Sequence, residues 1–590
     1  MNYLIIAKKL GLDKDVKPSN ELINASAFIK INPNKVIIKA RLWLFITLII
    51  SMIVITLLTN NLLIITLSVI PALITYYYIT EKPKIKAREE RLNGLGHAPE
   101  IITTIGTSLE LNPNLERAIR LAGDNCGGRI SKDLSTAYKN SIINGQSLKE
   151  SFDKIIIDWG NHSDGFKHGM NLIKTSLMEL NDADRERTIE RGMDSFFNGL
   201  INELRRFLGQ IKTHTLILFS FGTIIPLILI SLLPMVNLLN IESNPILLII
   251  LLGANLLLIN EYTNHALKNK PAGFSELDVK NNLKQGMMRL GFNGQGFDVP
   301  AKAYTIIIFL LIASPTIIYY TSMIAGNLFL MPAEYASMPL ILGLGLSLSL
   351  YFHGTSHPSI KARNKALKNE SELLEVVYSI GTKLQEKRSF EDSLRQVVNE
   401  NKGLLINHLS RAYRNISDLR TPVEESIITE LTKTGSKRVI SVFKLLFNAL
   451  KQGVDKSSQC VFRVYEHFNR MIQAEEEHKS MLEQVLSMMK ITAVFFAPLI
   501  SAFIIIMQLI IEVNVTGLGV AFFNFQGLIN ADLMTLLLGI YTIGLVIVLT
   551  RYHTLLKNGP DQVLLRHELS INILFATTIY LGTLLLSKLL

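Results

Sequence analysis

The chain has 590 residues, is 48% hydrophobic, and carries 60 Lys and Arg against 49 Asp and Glu, a net charge of +11. Taken alone, that charge points to nucleic acid, but its distribution is the one a multi-span membrane protein needs, so nucleic acid is excluded as the partner. Cys126 and Cys460 are its only cysteines, too few for a disulfide framework or a Cys-x-x-Cys metal knuckle.

Nine apolar stretches punctuate the chain, at about 43–59, 62–80, 215–238, 245–260, 304–326, 338–353, 491–511, 533–550 and 571–586. Each is long enough, or nearly so, to cross a hydrocarbon core of ~30 Å as a helix. A helix is the form that satisfies the backbone where water is absent. Of the 60 Lys and Arg, 59 fall in every second gap, and the gaps at 60–61, 239–244, 327–337 and 512–532 hold none. The positive-inside bias then puts the N-terminus and the basic segments in the cytoplasm and leaves the C-terminus extracytoplasmic.

The expected organisation is a cytoplasmic segment at 1–42 and a span pair at 43–80. A first cytoplasmic helical domain follows at 81–213, then a span pair at 214–260. Next come a cytoplasmic loop at 261–302, a span pair at 303–353 and a second cytoplasmic helical domain at 354–490. A span pair at 491–552 and a short loop with the last span at 553–590 complete it. The fold class is all-α.

Both cytoplasmic domains read as helical bundles. Ile101, Ile102, Ile105 and Leu109 share one helical face, as do Leu115, Ala118, Ile119 and Ala122, and Leu134, Ala137, Tyr138 and Ile142. Asn112-Pro113 offers a cap and a first-turn proline; Ser147–Glu150 and Thr421–Glu424 each fit a capping box. In the loop 261–302, the charged amphipathic stretch Val279–Leu290 suits a helix on the membrane surface.

The chain resembles itself. Residues 100–151 laid on 375–426, at a shift of 275 without a gap, match at 15 of 52 positions, including Ile105-Gly106-Thr107 with Ile380-Gly381-Thr382 and Arg120 with Arg395. Pro226 and Pro498 correspond at a shift of 272. The predicted layout is span pair, cytoplasmic domain, span pair, used twice.

Motifs for chemistry are missing. Gly123–Ile130 is glycine-rich but carries Arg129 and Ile130 where a phosphate loop needs Lys and a hydroxyl, so it reads as an interhelical turn. His567-Glu568 is followed by Leu-Ser-Ile and makes no paired-His zinc site. The span interiors hold no Asp, Glu, Lys or Arg, the groups a charged transport path or an intramembrane aspartyl protease requires. Neither enzyme nor cofactor is expected, and Pro71, Pro226, Pro234, Pro315 and Pro498 read as kinks.

A helical domain with Ile-Gly-Thr-x-Leu at 105–109 and 380–384, a Ser-Leu-x-Glu-Ser start at 147–151 and a proline-bearing span resembles the type II secretion system F family. Two copies with nine spans look like the archaeal form, the membrane platform of type IV pili and the archaellum; the resemblance covers about 41–552. It implies a scaffold without nucleotide chemistry, in the cell membrane. The implied partners are a hexameric secretion ATPase, pilin- or archaellin-like subunits and membrane lipid, with room for a homodimer. A membrane transporter or exporter is the alternative. One departure is that Arg420-Thr421-Pro422 stands where the first copy has Gly145, predicting a different turn. Candidate ATPase contacts are the repeated basic pairs Arg120/Arg395 and Lys139/Arg414, with Arg388, Arg411, Lys437 and Arg438 of the second domain.

Overall fold

In the computed structural model, the described residues are 18–29, 31–58, 69–226, 228, 232, 245–267, 287–292, 295–324, 336–451, 454–517, 531–559 and 561–586. They form two compact units, 1–94 and 95–590.

The first unit holds α1 (Asn20–Ile29), α2 (Pro33–Leu58) and nearly all of α3 (Val69–Gly96). Lys84 of α3 lies 3.4 Å from Glu21 of α1 and 2.6 Å from Glu81. The Arg91 guanidinium sits 4.8 Å above the centre of the Phe28 ring, a cation–π contact.

The second unit opens with short helices: α4 (Ala98–Leu111), α5 (Leu115–Asn125), α6 (Gly128–Asn144), α7 (Leu148–Gly160) and α8 (Asp164–Thr175). The 38-residue α9 (Asp182–Phe219) follows and continues through a π-helical turn, Ser220–Ile224. After α10 (Pro245–Ala266) come two antiparallel strands, β1 (Met287–Phe292) and β2 (Gln295–Pro300), then α11 (Ala301–Ile324) and α12 (Met338–Ser371). A second run of short helices is α13 (Leu373–Gln385), α14 (Phe390–Glu400), α15 (Leu404–Leu419), α16 (Val423–Thr432) and α17 (Lys437–Leu450). The 38-residue α18 (Val454–Ile491) runs through a second π turn, Thr492–Phe496, into α19 (Ala497–Gly517). Finally α20 (Ala531–Asn558) and α21 (Gln562–Leu586) complete the chain.

Among the described residues the architecture is therefore helical apart from one hairpin. That hairpin corrects the expected surface helix at Val279–Leu290: positions 287–290 lie in β1, and 279–286 fall outside the described residues. The sequence cue is Asn293-Gly294 between the two runs, the dipeptide most favoured in a two-residue hairpin connection.

Six helices are long and apolar enough to cross a membrane among the described residues: 33–53, 301–322, 338–385, 485–510, 531–557 and 562–586. They take in six of the nine expected spans. Of the other three, 245–260 lies in α10, while 62–80 and 215–238 fall partly outside the described residues. Polarity changes inside these helices without breaking them. The boundaries drawn at 213/214, 353/354 and 490/491 all lie within continuous helix.

Helix boundaries recur along the chain. Leu115–Asn125 and Phe390–Glu400 are offset by 275 at both ends; α9 and α18, and the two π turns, are offset by 272. Both Gly106 and Gly381 face a long helix. A Cβ on Gly106 would lie 3.2 Å from Ile189, and one on Gly381 3.2 Å from Val461, positions that are themselves 272 apart. Each glycine lets two helices approach closely.

Local expectations divide. Ser147 caps α7, accepting from the Glu150 amide at 3.3 Å. Thr421 does not cap α16. Pro422 holds the cap position, and the Thr421 hydroxyl donates back to the Asn415 carbonyl at 3.0 Å. The α5 cap is Asn114, accepting from the Arg117 amide at 3.0 Å, while Asn112 closes α4. Gly145 and Arg420 both adopt the left-handed conformation, with φ of 64° and 52°. The turn is thus of the same kind in both places, contrary to expectation. Ile101, Ile102, Ile105 and Leu109 are fully buried, whereas Ile142 is 65% exposed, because it lies in the last turn of α6.

Candidate functional site

The two runs of short helices meet across α4. All fourteen residues of α4 are buried, and it packs against α5, α9, α17 and α18. An amphipathic helix covers one face; one buried all round must be enclosed by several elements. Polar links tie the faces together: Thr104 and Ser441 lie 3.3 Å apart, and Lys444 donates to Asn125 at 2.7 Å.

Charge is sorted across this junction. On α9 the partners are acidic: Glu186 pairs with Arg463, while Glu190 and Asp194 lie 3.3 and 3.7 Å from Arg470. Further along, the sign reverses, with Arg205 3.1 Å from Glu477. Glu110, at the end of α4, anchors the ladder's buried side. Its carboxylate lies 2.5 Å from His467 and 3.1 Å from Arg463. Burial would lower the Arg463 pKa, but the Glu186 hydrogen bond and the charges of Glu110 and Glu186 raise it.

A second buried group centres on Arg438, at the start of α17. It reaches Glu370 of α12 at 3.1 Å and Glu475 of α18 at 3.3 Å. Glu370 also accepts from Ser436 at 2.5 Å, and Lys479 lies 2.8 Å from Glu475. Burial opposes the charge on Arg438, yet Glu370, Glu475 and Glu100 raise its pKa. Burial likewise pushes Glu475 up, but Arg438 and Lys479 outweigh it and hold the carboxyl below the usual range. Such a cluster joins three helices, because removing one partner leaves an uncompensated buried charge.

The expected contact residues are divided by this geometry. Arg120, Lys139, Arg388, Arg395, Arg411 and Arg414 are exposed. On α15 the buried residues are Leu405, Ile406, Leu409 and Ala412, so Arg411 and Arg414 project from the opposite face. Arg411 lies over His408, and Arg388 pairs with Glu386. Lys437 is half-buried. Arg438 is turned inward into its two carboxylates and is not a surface contact. Glu110, His467 and Arg463, which link α4 to α18, and Glu370 and Glu475, which hold Arg438, were not foreseen. Their partners stand tens to hundreds of residues away, where periodicity gives no signal.

Apolar helices hold a second set of links. Pro226 has no N–H for the Gly222 carbonyl one turn earlier, and the backbone forms a π turn there, with the Ile225 amide bonding Ser220. The Tyr541 hydroxyl reaches the Gly222 carbonyl at 2.8 Å, and Asn255 donates to the Phe221 carbonyl at 3.2 Å. Pro498 stands in the same relation to the second π turn. The last helix, α21, is tied into the apolar bundle by three hydrogen bonds. It accepts from Ser349 through the Ser570 carbonyl at 2.6 Å, Asn572 donates to Thr550 at 3.1 Å, and Tyr580 donates to the Thr535 carbonyl at 2.7 Å.

Among the described residues no three His, Cys, Asp or Glu side chains come together as a metal-ligand set. Comparison with protein-family models, with curated proteins and with solved structures finds no match.

Proposed function

We propose that this chain is the integral membrane platform of a type IV pilus-like or archaellum assembly machine, coupling a cytoplasmic secretion ATPase to insertion of pilin-like subunits. On this reading, 81–213 and 354–490 are two copies of one cytoplasmic domain, and the chain crosses the membrane nine times. The observation that carries it is the recurrence of a 38-residue helix, α9 and α18, each passing through a π turn into an apolar stretch. A helix of that length spans about 57 Å. It gives each cytoplasmic bundle a stiff, unbroken connection to the membrane. A platform that transmits ATPase motion needs such levers, and the charge pairs between them, Glu186 with Arg463 and Glu190 with Arg470, make the two bundles move together.

The exposed basic residues Arg395 and Arg414 are the proposed electrostatic docking face. Exposed charges of this kind act mainly on association rate and specificity. The test is co-purification of the tagged chain with the secretion ATPase of its own cell, for wild type and for the Arg395→Glu/Arg414→Glu variant. Capture by wild type, weakened by salt and lost in the double variant, supports the reading. A wild-type chain that captures no ATPase, and whose deletion leaves surface fibres intact, overturns it.

A further inference from the structure

The α12 helix carries an open basic groove that the platform reading does not use. From Met338 through Ile360 the helix holds no Asp, Glu, Lys or Arg. Twenty-two steps of 1.5 Å make about 33 Å, the thickness of the hydrocarbon core. The next charged residues are Lys361, Arg363, Lys365 and Lys368. Arg363 turns inward to Asp561. The other three line a groove of about 360 Å³ together with His357, Ile360, Asn364 and Leu404.

Three properties mark the groove as a site rather than a solvated helix face. Positions 357, 361, 364, 365 and 368 recur at helical spacing, so their side chains share one face. Lys361, Lys365 and Lys368 are exposed, and no salt bridge engages them among the described residues. The facing wall, Leu404, begins α15 of the second cytoplasmic run. The Glu372 carboxylate near it is occupied by the Leu404 and Leu405 amides, at 3.1 and 2.8 Å. The lining therefore holds three cations, a histidine and an amide over an apolar floor of Ile360 and Leu404, with no carboxylate.

We propose that this groove binds the phosphate headgroup of an anionic membrane lipid. Depth decides the source of the phosphate: the apolar stretch of this helix ends at 353 and Lys361 follows eight residues, about 12 Å, further along, a distance from which a lysine side chain reaches back toward the headgroups. Lysines there extend their stems along apolar surface and place the ammonium at the phosphates. Because one wall is α12 and the other is the start of α15, a bound lipid also braces the second cytoplasmic run against the membrane.

The test uses the full chain in neutral detergent, titrated with fluorescent phosphatidylglycerol and, in parallel, phosphatidylcholine. Wild type is expected to hold phosphatidylglycerol and not phosphatidylcholine. Each single Lys→Gln change should weaken binding roughly fivefold, as expected for about 1 kcal/mol per basic residue near an anionic surface. The triple Lys361→Gln/Lys365→Gln/Lys368→Gln variant should lose it, and the triple Lys→Arg variant should keep it. Changing Lys132, Lys139 and Lys149 to Gln, which removes the same charge elsewhere, should leave binding unchanged. Equal retention of both lipids by wild type overturns the proposal. So does unaltered binding in the triple Gln variant, an equal loss in the distant control, or displacement by millimolar inorganic phosphate, which marks a free-phosphate site.

Discussion

The Tyr541 hydroxyl donates to the Gly222 carbonyl across 2.8 Å, joining α20 to the π turn that ends α9. Pro226 withholds the amide that would otherwise serve that carbonyl. The bond therefore replaces one the helix lost, in an apolar setting where an unpaired carbonyl is costly.

Tyr541→Phe removes the donor and leaves Gly222 unpartnered. We expect a loss of about 1–3 kcal/mol, the desolvation cost of an orphaned buried acceptor. Thermal unfolding of the purified chain in detergent reads this as a lowered Tm. Tyr580→Phe removes only a second donor to the Thr535 carbonyl, which lies inside α20 and keeps the backbone amide one turn on, so its loss should be smaller. An unchanged Tm in both variants contradicts this account of the apolar bundle.

Paired buried charge ties helices together in two places: Glu110 with His467 across the junction of the two runs, and Arg438 with Glu370 and Glu475 among α12, α17 and α18. Arg438→Met leaves Glu370 and Glu475 facing each other without their cation, and should destabilise by about 3–5 kcal/mol. Glu110→Ala should cost a similar amount, stranding the buried His467 beside Arg463. Limited proteolysis of membrane vesicles checks it: both variants should be cut faster between α8 and α18 than wild type, whereas exchanging the exposed Arg395 for Ala should not change the pattern.

Left-handed backbone at Gly145 and Arg420 predicts opposite responses. Gly145→Ala meets no atom within 4 Å, so its cost is the backbone alone, about 1 kcal/mol. Arg420→Gly relieves a conformation that costs an L-residue about 1–2 kcal/mol, partly offset by the freedom glycine gains when unfolded. The first substitution should lower the Tm and the second should raise it.

The two thiols differ in access. Cys126 is 3% exposed, and burial, with the Glu100 charge, pushes its thiol pKa well up. Reaction proceeds through the thiolate. Maleimide added to the folded, solubilised chain should therefore modify Cys460 alone, with Cys126 reacting only after denaturation. Rapid modification of a Cys460→Ala variant would show that α4 and α5 do not enclose Cys126.

Sidedness can be read in intact cells lacking the native thiols. Val520→Cys should react with an impermeant maleimide, while Lys139→Cys and Arg414→Cys should be protected until the membrane is opened. The reverse pattern would invert the topology drawn from the basic gaps.

Properties carried by neighbouring residues were legible in the chain alone. Apolar length marked six helices that can cross a membrane, because hydrophobic burial is additive along a segment. The 3.6-residue spacing marked the buried face of Ile101, Ile102, Ile105 and Leu109, and the internal match foretold the paired surroundings of Gly106 and Gly381. Tertiary structure alone decided which polar groups find one another. Arg438 looked like its exposed neighbours in sequence, yet two carboxylates from other helices take it inward. Thr421 fitted a capping pattern, but Pro422 starts α16 one residue later and the hydroxyl turned back. Asn293-Gly294 signalled a hairpin that the helical spacing around it obscured. Hydrogen bonds and ion pairs are short-ranged and directional, so Glu110 and His467, or Gly222 and Tyr541, become partners only after packing has brought distant segments within 3 Å.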